Sequence, residues 1–183
     1  MLKYAKIIDN STEECEIALG DNINFYQSIG MELLDVEQSD IDFKWYTVQN
    51  CPKRTTEEKL NIAKQEKSKE ALDKANEYIS SGCALYEFTL GKHIEATDGN
   101  IAKLTAYMLS FLGDENEQEV LWNTKEDETV SLNKNEVIQI IKGLGGVQSK
   151  IWTVDYPNYL DLIQKARNVA EIESINISYN TGE

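Results

Sequence analysis

The segment from Thr55 to Ile79, TTEEKLNIAKQEKSKEALDKANEYI, constrains the fold most, because it reads as one long helix that is apolar only at its ends. Thr55 and Glu58 stand at capping-box spacing, and no Gly or Pro follows until Gly82. At about 1.5 Å per residue the helix would reach about 35 Å. Leu60 and Ala63 gather at one end and Ala71, Leu72, Ala75, Tyr78 and Ile79 at the other, while Lys64 to Glu70 (KQEKSKE) is polar on every face. A helix polar all round bridges solvent, so the expectation is a connector, residues 55–80, with docked ends and a wet middle. It would join an N-terminal domain at 1–52 to a C-terminal domain at 83–183. The competing reading is a surface helix of one compact domain, with the Lys67 stem laid over the core. A coiled coil fits poorly, because the heptad through Leu60 and Ala63 next meets Lys67, Glu70, Lys74 and Glu77.

Before this helix, Tyr4, Ile7 and Ile8 lead into the turn formers Asp9-Asn10-Ser11-Thr12, and Cys15, Ile17 and Leu19 follow in period two, which predicts a β-hairpin. Asp21 or Asn22 caps a short helical turn through Phe25, Tyr26 and Ile29 that Gly30 stops. A further strand arm is expected at Phe43 to Val48, and Cys51-Pro52 ends the unit. Its aromatics, Phe25, Tyr26, Phe43, Trp45 and Tyr46, serve either as the core of a small β-unit or as contacts for a sugar or protein partner. Phe25, Tyr26, Trp45 and Tyr46 are taken as the candidate protein-interaction residues.

After it, Leu85 to Leu90 alternates as a strand, Gly91 turns the chain, and His93 to Ala96 forms a second arm. Thr97 or Asp98 then caps a helix with Ile101, Leu104, Met108 and Leu112 on one stripe. The run Asp114 to Glu119 matches a calcium loop in composition only, lacking the ligand alternation and the glycine, and is expected to be a solvated loop. Val120-Leu121-Trp122 and Thr129 to Leu132 form another hairpin, and Asn133 with Glu136 opens a helix through Leu144. Gly143-Leu144-Gly145-Gly146 follows a helix instead of preceding one, so a kink or close helix crossing is expected there and not a phosphate cradle. Helical pattern resumes at Val147, Ile151 and Val154 and again after Pro157, a last helical turn falls at Val169 to Ile172, Ile175 to Tyr179 is extended, and NTGE is frayed. The fold class is α+β: a small β-rich N-terminal lobe, a long charged connector and a mainly helical C-terminal lobe with short β-hairpins.

Eighteen basic against 32 acidic residues leave a net charge of -14, which repels phosphate backbones and anionic lipid surfaces. Nucleic-acid and membrane partners are therefore not expected, no apolar run is long enough to span a bilayer, and the N-terminus has no long apolar core of a signal peptide, so a cytoplasmic site of synthesis is expected. Residues 1–52 carry three lysines against ten carboxylates, a balance of -7, which suits either a solvated face or docking to something basic. Cys15, Cys51 and Cys83 are odd in number and widely spaced, which suggests neither a disulfide framework nor a zinc site. His93 is the sole histidine, and there is no GxSxG elbow, so no catalytic residue, cofactor or metal is expected and the chain reads as a non-enzyme.

Three ordered pieces, KLNIAKQEKSKEAL, YEFTLGKHIEATDGNIAKLTAYM and VLWNTKEDETVSLNKNEVIQII, resemble a C-terminal domain family of unknown function in tailed-phage and prophage proteins encoded near tail fibres. Asp127-Glu128 stands where that family often has an aspartate-asparagine turn. The stretch YAKIIDNSTEECEIALGDNINFYQSIGMELLDVEQ is similar to the start of prophage tail proteins of low-GC Gram-positive bacteria. The resemblance implies a neighbourhood, the phage tail, and no chemistry. It implies a structural tail-fibre or baseplate accessory of a phage, prophage or phage-tail-like bacteriocin, with fibre or baseplate proteins as partners and homo-oligomerisation open. The layout also resembles tail-fibre assembly proteins, which makes a fibre assembly chaperone absent from the particle the alternative. A tail-tip glycan or cell-wall hydrolase is kept third, because a carboxylate pair is always available among so many acids.

Overall fold

The computed structural model describes residues 1–113 and 119–180, so the acidic loop expected at Asp114 to Glu119 falls, save Glu119, outside the described residues, as does most of NTGE. The chain is α+β and divides into two units, Met1–Lys59 and Leu60–Glu183. The division lies within the long helix.

Unit 1 begins with β1 (Leu2–Asp9) and β2 (Glu14–Gly20), antiparallel with Tyr4 opposite Ala18. Asp9 builds the turn between them, its carboxylate accepting from the Ser11 amide at 2.8 Å and the Thr12 hydroxyl at 2.9 Å. Helix α1 (Ile23–Ser28) is capped by the Asn22 side chain, which accepts from the Phe25 amide. Strands β3 (Val36–Gln38) and β4 (Trp45–Thr47) complete a sheet of order β1-β2-β4-β3. Behind this order is a short core: Tyr4, Ala5, Cys15, Met31 and Tyr46 are its buried apolar residues.

Helix α2 (Thr56–Ser80) starts on the expected capping box, Glu58 accepting from the Thr55 amide at 2.8 Å and Thr55 accepting from the Glu58 amide at 3.1 Å. Its middle departs from the wet-spacer expectation. Lys67 is only 15% exposed and pairs with Glu70, and the Lys64 ammonium donates to the Gln164 carbonyl at 2.8 Å. The lysine stems lie along unit 2 and the charged heads reach its edge, so a segment polar in sequence is covered on one side. Ala71, Ala75 and Ile79 then enter the core of unit 2.

Within unit 2 the hairpin β5 (Leu85–Thr89) and β6 (Lys92–Glu95) turns at Gly91, whose φ of 71° favours glycine. Helix α3 (Asp98–Gly113) buries Leu104 and Phe111, whereas Leu112 is exposed. The stripe is centred on Leu104 and Phe111, and Leu112 lies about 90° round the helix from it, which corrects the stripe expected through Leu112. Strands β7 (Glu119–Asn123) and β8 (Thr129–Asn133) form the second hairpin, with Val120, Trp122 and Leu132 buried.

Helix α4 (Lys134–Lys150) opens on a full capping box from Asn133 and Glu136, then runs through the glycine cluster without a break. At Gly143 a Cβ would stand 2.1 Å from the Tyr86 ring, so the glycine makes room for an aromatic from β5. Neither the kink nor the close helix crossing expected there forms; the close neighbour is a strand side chain. A π-helical turn, Ile151–Asp155, leads straight into α5 (Tyr156–Lys165). The Tyr156 amide reaches back five residues to the Ile151 carbonyl, and this wider turn accommodates Pro157, which has no amide proton to give.

Helix α6 (Val169–Ser174), capped by Asn168, precedes an extended tail. Ile177 and Tyr179 of that tail are buried, the Tyr179 hydroxyl donates to the Ala71 carbonyl at 2.9 Å, and the Tyr159 hydroxyl donates to the Ser178 carbonyl at 2.7 Å. The tail therefore straps α2 to α5.

Candidate interaction surface

Strand parity separates the four aromatic residues taken from the sequence. Tyr4 and Ile7 lie on opposite faces of β1, and Trp45 stands opposite Cys15, which pairs with Ile7. Tyr26 stacks on Tyr4 with ring centroids 4.3 Å apart, so Tyr26 and Trp45 serve opposite faces of the sheet. They do not form one cluster.

On the Tyr4 face, the Tyr26 hydroxyl donates to the Leu19 carbonyl at 2.9 Å and its ring occupies the space where a Cβ on Gly20 would stand. Tyr46 is 5% exposed, and its hydroxyl donates to Asp42 at 2.7 Å. That bond holds the phenol protonated and raises its pKa to about 12. Tyr46 is a buried member of the fold and leaves the set of accessible contacts. On the other face Lys3 places its ammonium 4.0 Å above the Trp45 ring, a cation–π contact that keeps the indole half-buried. Phe25, 53% exposed, meets Tyr26 edge-on and turns its remaining surface outward.

A fifth aromatic, Phe43, stands out more than any of these. It is 72% exposed and its φ is 62°, in the left-handed region where a bulky side chain is strained. The surrounding turn enforces this conformation. The Ser39 amide donates to the Lys44 carbonyl at 2.8 Å, the Gln38 side chain donates to the Phe43 carbonyl at 2.7 Å, and the Ser39 hydroxyl donates to the Pro52 carbonyl at 3.0 Å. An exposed aromatic held in this conformation by its surroundings is a candidate for contact. Only the aromatic count signalled Phe43 in the sequence; the positive φ follows from hydrogen bonds across the turn.

Around these residues unit 1 also exposes Leu19, Ile23, Ile29, Leu33 and Ile41. Its carboxylates are largely tied into the structure. Lys44 pairs with Glu14 at 2.7 Å and Lys53 with Glu37 at 2.8 Å, while the Arg54 amide and the Lys59 ammonium both meet Asp40. Hydrogen bonds from Ser11, Thr47 and the Arg54 amide hold Asp9, Glu13 and Asp40 below the usual carboxylate range.

In unit 2 the histidine binds a carboxylate: His93 Nδ1 lies 2.8 Å from Glu126 Oε1, and its backbone amide donates to Oε2 at 3.0 Å. That amide bond is the main reason the Glu126 pKa falls to about 2. The pair fastens the β7–β8 turn to β6. Cys15 is buried, Cys51 half-buried and Cys83 exposed, with burial pushing the first two thiols up. Among the described residues no group of three or more His, Cys, Asp or Glu is placed to hold a metal ion, and no helix is long and apolar enough to cross a membrane. Comparison of the chain with protein-family models, with curated proteins and with solved structures gives no match.

Proposed function

We propose that this chain is a non-enzymatic interaction protein of a phage-type tail, an accessory of the fibre or baseplate, in which unit 1 docks to a tail partner. The observation that carries the docking role is Phe43, exposed and held in a left-handed conformation by the turn around it. A protein that needed only to fold would gain by relaxing that residue. The exposed Phe25 and the acidic balance of the N-terminal residues favour a partner surface that is apolar at its centre and basic at its rim. The tail setting rests on the resemblance of the three ordered pieces, which fall on α2, on β5–β6–α3 and on β7–β8–α4. In this reading the protein is made in the host cytoplasm and carried into the tail particle.

The test is capture of the tagged protein from cells producing particles, with mass spectrometry of its partners and, separately, of purified particles. The chain is expected in the particle at a fixed ratio to tail proteins, and Phe43→Ser is expected to remove it. Capture with free fibre alone, and absence from particles, would replace the structural role with that of an assembly chaperone. Association with neither would refute both.

A further inference from the structure

A groove of unit 2 lies between β5, β8 and the first turns of α4, with a volume of about 470 Å³. That is within the range of ligand sites, about 300 to 1,000 Å³. Its apolar wall is Tyr86 and Phe88, two residues apart on one face of β5, with Val130 and Leu132 of β8. Opposite stand Asn135 and Gln139, one turn apart on α4.

The charged groups lining this groove each have a partner. The Lys92 ammonium is held by Glu128 at 2.8 Å, and Glu136 accepts from the Asn133 amide at 2.8 Å as part of the α4 cap. Ser131 donates to Glu119 at 2.6 Å. By contrast, the side-chain amides of Asn135 and Gln139 have no partner among the described residues, and each offers both donors and an acceptor. An anionic ligand would face the Glu136 carboxylate and the net negative charge of the whole chain. A neutral ring with an apolar C–H face and a rim of hydroxyls satisfies both walls. Its C–H face lies on the aromatics and its adjacent hydroxyls exchange hydrogen bonds with the two amides.

We infer that this groove binds an uncharged sugar unit, with Tyr86 and Phe88 as the stacking wall and Asn135 and Gln139 as the hydroxyl readers. The inference is independent of the tail assignment and of unit 1. It is tested by titrating the purified, isotope-labelled chain with a panel of neutral hexoses and N-acetylhexosamines, and with a hexuronate as the charged control, while following side-chain amide resonances by NMR. Those of Asn135 and Gln139 are expected to move progressively with at least one neutral sugar and not with the hexuronate. The double variant Asn135→Ala/Gln139→Ala, at two exposed positions, is expected to keep its melting temperature and weaken binding about tenfold or more. No movement with any neutral sugar, equal movement with the hexuronate, or unchanged binding by the double variant would each overturn the assignment. Failure here leaves particle incorporation untouched, and failure of incorporation leaves this titration untouched.

Discussion

The two units of this chain are held together by different means. Unit 2 buries a continuous set of large side chains, including Leu104, Trp122, Leu132, Ile140, Leu144 and Ile151, beneath two hairpins and four long helical segments. Unit 1 buries few and relies on polar ties: the Asp9 turn, the Ser39 hydroxyl to Pro52, Asp42 to Tyr46, and Glu13 to Thr47. A small unit has little interior, and what it lacks in burial it recovers by satisfying the backbone groups of its turns. The exposed, strained aromatic, Phe43, belongs to unit 1, where a turn fixed by hydrogen bonds holds it outward.

If packing governs unit 2, Trp122→Ala should cost about 3 to 5 kcal/mol in urea unfolding, because the indole is buried against Tyr107. A loss of less than about 0.5 kcal/mol would show that the indole carries no core. For unit 1, Ser39→Ala should cost about 1 to 2 kcal/mol, since it strips the Pro52 carbonyl and the Ile41 amide of their partner. Amide exchange should rise across residues 36–54 and stay unchanged in unit 2; a uniform rise would break the contrast.

Relief of strain gives a smaller effect of opposite sign. Phe43→Gly removes a left-handed penalty of about 1 to 2 kcal/mol and adds glycine's entropy cost of about 0.5 to 1 kcal/mol. A net gain of about 0.5 to 1 kcal/mol in unit 1 is expected, and destabilisation would refute the strain.

The finest test uses pH. Asp42 raises the Tyr46 pKa to about 12, so this tie is fully present below about pH 10 and is lost as pH rises through 12. In Asp42→Asn the phenol should ionise closer to its ordinary 10, as read by ultraviolet titration. At the other end, Asp9, Glu13, Asp40 and Asp42 all have lowered pKa values, so their stabilisation is present above the ordinary carboxylate range and lost as pH falls. Unit 2 shares this dependence through Glu70 and Glu126, but its larger core is expected to hold longer, so NMR signals of unit 1 should disappear at higher pH than those of unit 2.

Local signals in the sequence carried much of the fold. The Asp9-Asn10-Ser11-Thr12 turn, the Asn22 cap and the capping boxes at Thr55/Glu58 and Asn133/Glu136 all act within a few residues, and each forms as its spacing predicts. Features set by distant partners were not legible. Gly143 is explained by Tyr86, the cover over Lys64 by Gln164, and the preference for Phe111 over Leu112 by which side of α3 meets the core. Pro157 reads as a break because sequence spacing assumes α geometry, and a π-helical turn carries the chain past it. Of the candidate contacts, Phe25 and Trp45 keep accessible surface and Tyr46 does not; alternation along β4 sends neighbours to opposite faces, and burial chose between them.

The tail strap bears on the order of folding. The bond from Tyr179 to the Ala71 carbonyl joins residues 108 apart, whereas the hairpins and caps of unit 1 close over short spans. Long-range closure slows folding, because chain entropy is lost before the contact returns anything. The local turns and the β1–β2 hairpin of unit 1 are expected to form early, and the strap to be among the last parts of unit 2 to settle.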